Sequence, residues 1–186
     1  LDAGETHSFG GDLIMGTNAV LDPGQSSVDF TSSGIGRTID TNEGGFYDLV
    51  LSGTGDFLVS DTNLTVGNDF SITNASATLP SATTTIGGSL STTNGSFNAN
   101  SGVMEFSSNS AGETITASTS AFNNLVFTGS GAWSMNDTNA TSTGYVRIDS
   151  GSVTLPSGIL AVGGNFQNIG GSITHNTNEL RLTAIG

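Results

Sequence analysis

The sequence predicts an all-β chain wound as a parallel β-solenoid, and three observations carry that expectation. The first is an internal repeat spaced 76 residues apart, without a gap. Phe46-Tyr47-Asp48-Leu49-Val50-Leu51-Ser52-Gly53-Thr54-Gly55 returns as Phe122-Asn123-Asn124-Leu125-Val126-Phe127-Thr128-Gly129-Ser130-Gly131. Thr78-Leu79-Pro80-Ser81 returns as Thr154-Leu155-Pro156-Ser157, and Gly87-Gly88 as Gly163-Gly164. A fixed period is the mark of stacked repeat architectures. The second observation is a finer echo: Thr65-Val66-Gly67-Asn68-Asp69-Phe70-Ser71 resembles Thr85-Ile86-Gly87-Gly88-Ser89-Leu90-Ser91, 20 positions later. The third is composition. Only 34% of the chain is hydrophobic and 10% charged, so the polarity comes from Ser, Thr, Asn and Gly, with Val, Ile, Leu and Phe recurring among them. Those four polar types are poor helix interiors but suit short strands and tight turns.

The elements follow in order. Residues 1–45 form a partial repeat, 46–121 a full repeat and 122–186 a second partial one, all in one continuous solenoid domain. Short alternating runs predict strands at residues 49–51, 57–59, 64–66, 70–72, 77–79, 84–86, 96–98, 103–106 and 114–116. The next copy repeats the series from Leu125 to Ile173, and Gly, Asn, Ser or Pro stands between most of the runs. Strands this short on a coil of about 20 residues pair in parallel with the strand one coil away. With rungs about 4.8 Å apart, about nine of them make a rod of roughly 40–45 Å. On this reading the 76-residue unit is about four coils. The rival architecture is a row of tandem small antiparallel β-sandwiches. Seventy-six residues is short for an immunoglobulin-like unit of about 100, and the finer echo has no place in one.

The stretch from Phe122 to Asn176 combines Phe-x-Asn-Leu-Val-Phe-Thr-Gly-Ser-Gly, Gly-Ser-Val-Thr-Leu-Pro-Ser-Gly and Val-Gly-Gly-Asn-Phe-x-Asn-x-Gly-Gly-Ser-Ile-Thr-His-Asn. In this it resembles the repeats of large bacterial extracellular proteins of the filamentous-haemagglutinin-like adhesin and autotransporter-passenger type. The resemblance covers nearly the whole chain and is one of composition and pattern. It implies a parallel β-solenoid with a structural or adhesive role at the cell surface or outside the cell.

Charge narrows the partners. The net charge is −13, lysine is absent, and the three cations are Arg37, Arg147 and Arg181. Such a surface repels nucleic acid and anionic membrane, and without lysine no Lys–Asn isopeptide crosslink can form. There is no cysteine, so stability is expected from backbone ladders and stacked side chains rather than disulfides. No run approaches 18 apolar residues, so membrane insertion by a helix is not expected. A chain starting at Leu1 is expected to be mature or a fragment of a longer one.

Few residues invite chemistry. Phe46/Phe122, Leu49/Leu125, Phe57/Trp133, Leu79/Leu155 and Leu90/Phe166 recur in phase and read as stacked core, with Trp133 as a sugar platform the sharper alternative. Asp61-Thr62-Asn63 recurs as Asp137-Thr138-Asn139. Their hard oxygens make Asp61 and Asp137 candidate Ca²⁺ ligands, against a local Asx turn as the plainer expectation. Asn63, Asn74, Asn94, Asn136 and Asn139 each open an Asn-x-Ser/Thr triplet, the acceptor pattern for glycosylation, and first of all read as accessible turns. His7 and His175 lack metal-ligand spacing. Gly87-Gly88 and Gly163-Gly164 read as coil corners. Asp48, Asp56, Asp61 and Asp69 are the acids a polysaccharide-cleaving β-helix would need to pair. A Thr-x-Thr row for ice binding is offered at residues 83–85 and 114–116, but 76-residue counterparts Leu160 and Asp40 interrupt it.

The expectation is therefore a non-catalytic extracellular rod, stalk or filament on a bacterial surface, with no cofactor beyond the Ca²⁺ candidate. Its partners are further repeats or identical subunits stacked end to end. A module binding glycans or a host surface, a polysaccharide-cleaving β-helix enzyme and an ice-binding solenoid stand as alternatives.

Overall fold

Alternation explains why so apolar-poor a chain folds. Along strands such as Asp56–Val59 and Asn63–Val66, every second side chain is buried and its neighbours face water. A single inward residue in two is enough when each strand also lies beneath another. In the computed structural model, which describes residues 1–175 and 177–183, all regular structure is strand, and it winds into about nine coils with three faces.

The first face carries a nine-stranded parallel sheet running from Thr6–Phe9 through Ser27–Phe30, Asp48–Leu51, Phe70–Thr73, Leu90–Thr93, Ala111–Thr116, Ala132–Met135 and Ser152–Thr154 to Ser172–Thr174. The third face is a seven-stranded sheet from Gly45–Phe46 to Phe166–Asn168. The second face is split. Five strands lead from Leu13–Ile14 to Ser96–Asn98, and three more run from Ala140–Ser142 to Glu179–Leu182. Every strand pairing in these sheets is parallel, which excludes the antiparallel sandwiches. The strand Leu90–Thr93 was missing from the sequence-based series. Its inward Thr92 broke the apolar alternation, and the structure meets that hydroxyl by donation to the Thr116 carbonyl at 2.6 Å.

The core is a set of columns one side chain wide. Val28, Leu49, Phe70 and Leu90 are in register on the first face, and Val66, Ile86, Phe106 and Phe127 on the third; all are buried. Phe106 and Phe127 stack along the axis with centroids 5.5 Å apart, and Trp133 tilts against Phe127 across the core at 5.3 Å. Trp133 is 1% exposed, so it is core and offers no platform to a sugar.

The 76-residue repeat does not return to its own face. Leu49 lies on the first face and its counterpart Leu125 on the third. Phe57 lies on the second and Trp133 on the first; Leu64 lies on the third and Ala140 on the second segment of the second face. The unit of about four coils is three coils plus two faces, so successive copies are turned by a third of a revolution. The corners travel with it. A Cβ at Gly53 would collide with the Ser32 carbonyl oxygen, and one at Gly129 with that of Ser108, which is itself the counterpart of Ser32. The Gly-x-Gly element repeats because a neighbouring backbone occupies the space of a side chain.

Coil length changes where the second face splits. Phe57 to Leu64, Ala77 to Thr84 and Phe97 to Met104 each take 7 residues from an inward position on the second face to one on the third. Phe122 to Leu125 takes 3. The shortcut leaves only a bridge between Phe122 and Ser142 in place of a strand.

Overpacking of this kind costs about 1–3 kcal/mol. Gly129→Ala is expected to lower stability by that amount in urea unfolding, whereas Gly10→Ala, where nothing lies within 4 Å of the new methyl group, leaves the curve in place.

Candidate functional site

The two aspartates singled out as candidate ligands bond neighbouring coils. Asp61 leaves the strand Asp56–Val59 and reaches back one coil. Its carboxylate accepts the Thr41 N–H, shared between both oxygens at 3.0 Å, the Thr41 hydroxyl at 2.8 Å and the Glu43 N–H at 3.1 Å. The corner it closes contains Asn42 and Glu43 with φ of 53° and 62°. Left-handed residues turn the corner's N–H groups inward; Asp61 takes those of Thr41 and Glu43, while Asp40 accepts the Asn42 N–H between them at 2.9 Å. Asp137 does the same one repeat later, accepting from Ala117 N–H at 2.6 Å and Ser118 N–H at 3.1 Å, with Ser118 at φ 56°. These bonds run to the preceding coil rather than closing a local Asx turn. The two aspartates stand at different corners, each aimed at the backbone of the coil before it.

Glu43 completes the first corner by bonding in the other direction. It accepts the Thr62 N–H at 2.7 Å and the Asn63 N–H at 3.2 Å, so Asp61 and Glu43 clamp two coils reciprocally. These bonds, the Thr62 backbone first among them, hold the Glu43 carboxyl below its ordinary value.

The other candidate acids, Asp48, Asp56 and Asp69, behave alike. Asp48 accepts the Asp69 N–H at 3.1 Å and the Asn68 amide at 2.7 Å; Asp69 accepts the Ser89 N–H at 2.8 Å; Asp56 accepts the Ser76 hydroxyl. The counterpart of Asp48 is Asn124, whose carbonyl accepts the Tyr145 N–H at 3.1 Å. The position therefore calls for an acceptor oxygen and not for a charge. No group of three or more His, Cys, Asp or Glu residues that could hold a metal occurs among the described residues. His7 and His175 lie in the first and last coils, a full stack apart. Each of the three arginines sits beside an acid: Arg37 with Asp12 at 3.9 Å, Arg147 with Asp149 at 2.9 Å and Arg181 with Glu179 at 2.8 Å.

All five Asn-x-Ser/Thr asparagines are exposed. Asn74 and Asn94 occupy left-handed corners at φ 63° and 54° and are linked through Asn74 N–H to Thr93 O at 3.0 Å. Asn63 donates to Glu43, and Asn139 accepts the Ile159 N–H at 2.8 Å. Asn136 donates its N–H to Ile115 O at 2.8 Å.

The hydroxyl rows look different from the sequence reading because face neighbours lie one coil away and not one repeat away. Thr116 is in register with Ser91, which is in register with Ser71; Thr114 is in register with Ser134, followed by Thr154 and Thr174. The Asp40 that interrupted the row lies on another face.

One surface feature escaped the sequence. Where the second face splits, the corner at residues 99–102 overhangs the shortened coil beneath Phe122 and Asn123, opening a depression of about 220 Å³. Its only signal was the spacing of 3 in place of 7 between inward residues.

Comparison with family models, with curated proteins and with solved structures gave no significant match. The geometry defines a parallel β-solenoid whose polar side chains tie coil to coil. No helix among the described residues is long and apolar enough to cross a membrane.

Hydrogen bonds to a charged group contribute about 1.5–3 kcal/mol. Asp61→Ala is expected to lose about that much in chemical denaturation, and millimolar Ca²⁺ is expected to leave the wild-type transition unmoved. The lowered Glu43 carboxyl gives a signed pH effect. Its stabilisation is present above the unfolded carboxylate range and disappears as pH falls through the lowered folded value. Glu43→Gln should therefore flatten the acid limb of the stability curve, read as melting temperature against pH.

Proposed function

We propose that this chain is a stiff segment of an extracellular bacterial repeat protein, a stalk, filament or adhesin shaft, with no catalytic role. The observation that carries this reading is that the nine-stranded ladder runs through every copy of the repeat, while the side chains with chemical potential bond adjacent coils. A rod of stacked coils resists bending because an unbroken ladder on the first face is backed by the sheets of the other two faces and by a continuous core. Its acidic, hydroxyl-rich surface favours solubility over adventitious contact. The partners that fit are further coils or identical copies stacked end to end, since parallel ladders extend by adding strands in the same sense. Surface glycans are a further class; nucleic acid and membrane insertion do not suit the charge.

A second reading has its own observation. On the longest face the register segments Ser71, Ser91, Thr116 and Thr114, Ser134, Thr154, Thr174 carry hydroxyl side chains, the first giving way to Val50 and Asp29 toward the first coils. An ordered, uncharged hydroxyl array suits an ordered surface such as ice, and thermal hysteresis of the purified chain would measure it.

Electron microscopy tests the first reading. About nine coils at about 4.8 Å give a rod of roughly 40 Å. Rods of that length, or filaments with an axial spacing of stacked coils, are expected; compact spheres or flexible strings would sink the proposal.

A further inference from the structure

We infer that the depression under the corner at residues 99–102 is a binding site for an uncharged carbohydrate residue. The site comes from the coil shortcut: Phe122 reaches the third face in 3 residues, the coil before it takes 7, and the difference hangs over the gap. It is a step built into the fold where a strand of the second face is replaced by a single bridge.

The lining chemistry selects the ligand. Asn98, Asn100 and Ser101 form the overhang, Asn123 and Thr143 the opposite wall, and Phe122 the base. No charged residue lines a site on a protein whose net charge is −13. A cation would need carboxylates here, and an anion would meet the repulsion of the whole surface. An apolar ligand would strand the amides. A neutral polyol satisfies them, because amide groups offer donor and acceptor side by side to vicinal hydroxyls. The volume of about 220 Å³ is below that of drug-sized pockets and suits a single sugar ring, either terminal or passing through an open groove.

Hydrogen-bonding capacity is available. Asn98 Oδ1 accepts the Asn100 N–H at 2.9 Å, and its NH₂ group has no intramolecular partner among the described residues. The Asn100 side-chain amide and the Ser101 hydroxyl have no intramolecular partner among the described residues. Across the gap, Asn123 donates to the Thr143 hydroxyl at 3.2 Å and Thr143 donates to the Phe122 carbonyl at 3.4 Å, which orders that wall. Asn100 and Ser101 are consecutive non-glycine residues at φ 47° and 64°.

The test uses the whole chain on an immobilised panel of uncharged oligosaccharides and their sialylated and sulfated counterparts, with saturation-transfer NMR on any glycan retained. Binding of uncharged members is expected, weakened at least tenfold in the double variant Asn100→Gly, Ser101→Gly. Glycine accepts the left-handed backbone, so the melting temperature should hold while the polar groups are lost. Asn98→Asp retains the acceptor for the Asn100 N–H and replaces the donor with a charge; it should also weaken binding. Failure of every uncharged glycan to bind at millimolar concentration, preference for the anionic members, or unchanged binding in both variants would overturn the site. The inference does not rest on the rod reading: rods in the microscope without glycan binding would remove the site and leave the rod.

Discussion

The structure depends on one relation: an oxygen on one coil meets a backbone N–H on its neighbour, at the corners as well as along the strands. Strand ladders alone would leave each corner with unpaired groups, and a narrow solenoid has a corner every few residues. An unpaired buried backbone group costs on the order of 1–3 kcal/mol. The chain meets that demand with Asp61 and Asp137 reaching backward and with Asp48, Asp69, Asn124 and Asn139 receiving from the coil ahead. The Ser, Thr and Asn content thus serves as a second bonding system beside the ladders, and a thin core becomes sufficient.

That relation also explains which parts of the molecule could be read from sequence. Strands declare themselves through local alternation, and the parallel solenoid followed from strand length, echo and repeat. The corner glycines were visible through recurrence, although their cause, a neighbouring carbonyl in the place of a Cβ, was not. Capping by Asp61 was invisible because its partners Thr41 and Glu43 lie about a coil away, beyond any local pattern. Thr92 hid a strand because one buried hydroxyl interrupts an apolar rhythm.

The candidate site was less legible than the fold. Sequence motifs point to charged residues, and here Asp48, Asp61, Asp69 and Asp137 bond neighbouring coils. The depression is made by uncharged side chains at a change of coil length, which no residue pattern advertises. Counting the interval between inward residues, 7 through Met104 and 3 at Leu125, is the measure that would have found it.

The offset between the sequence repeat and the coil has a consequence for recognition by multivalent partners. Copies turned by a third of a revolution present the same epitope in three directions, so an antibody or receptor array lying flat along one flank cannot engage adjacent copies together. Equivalent epitopes realign only after three copies, or eleven coils, about 53 Å along the axis at about 4.8 Å per rung. Avidity requires geometry that lets linked sites engage at once. A long shaft of this kind would be gripped efficiently only by a partner that winds around it or has arms of that reach.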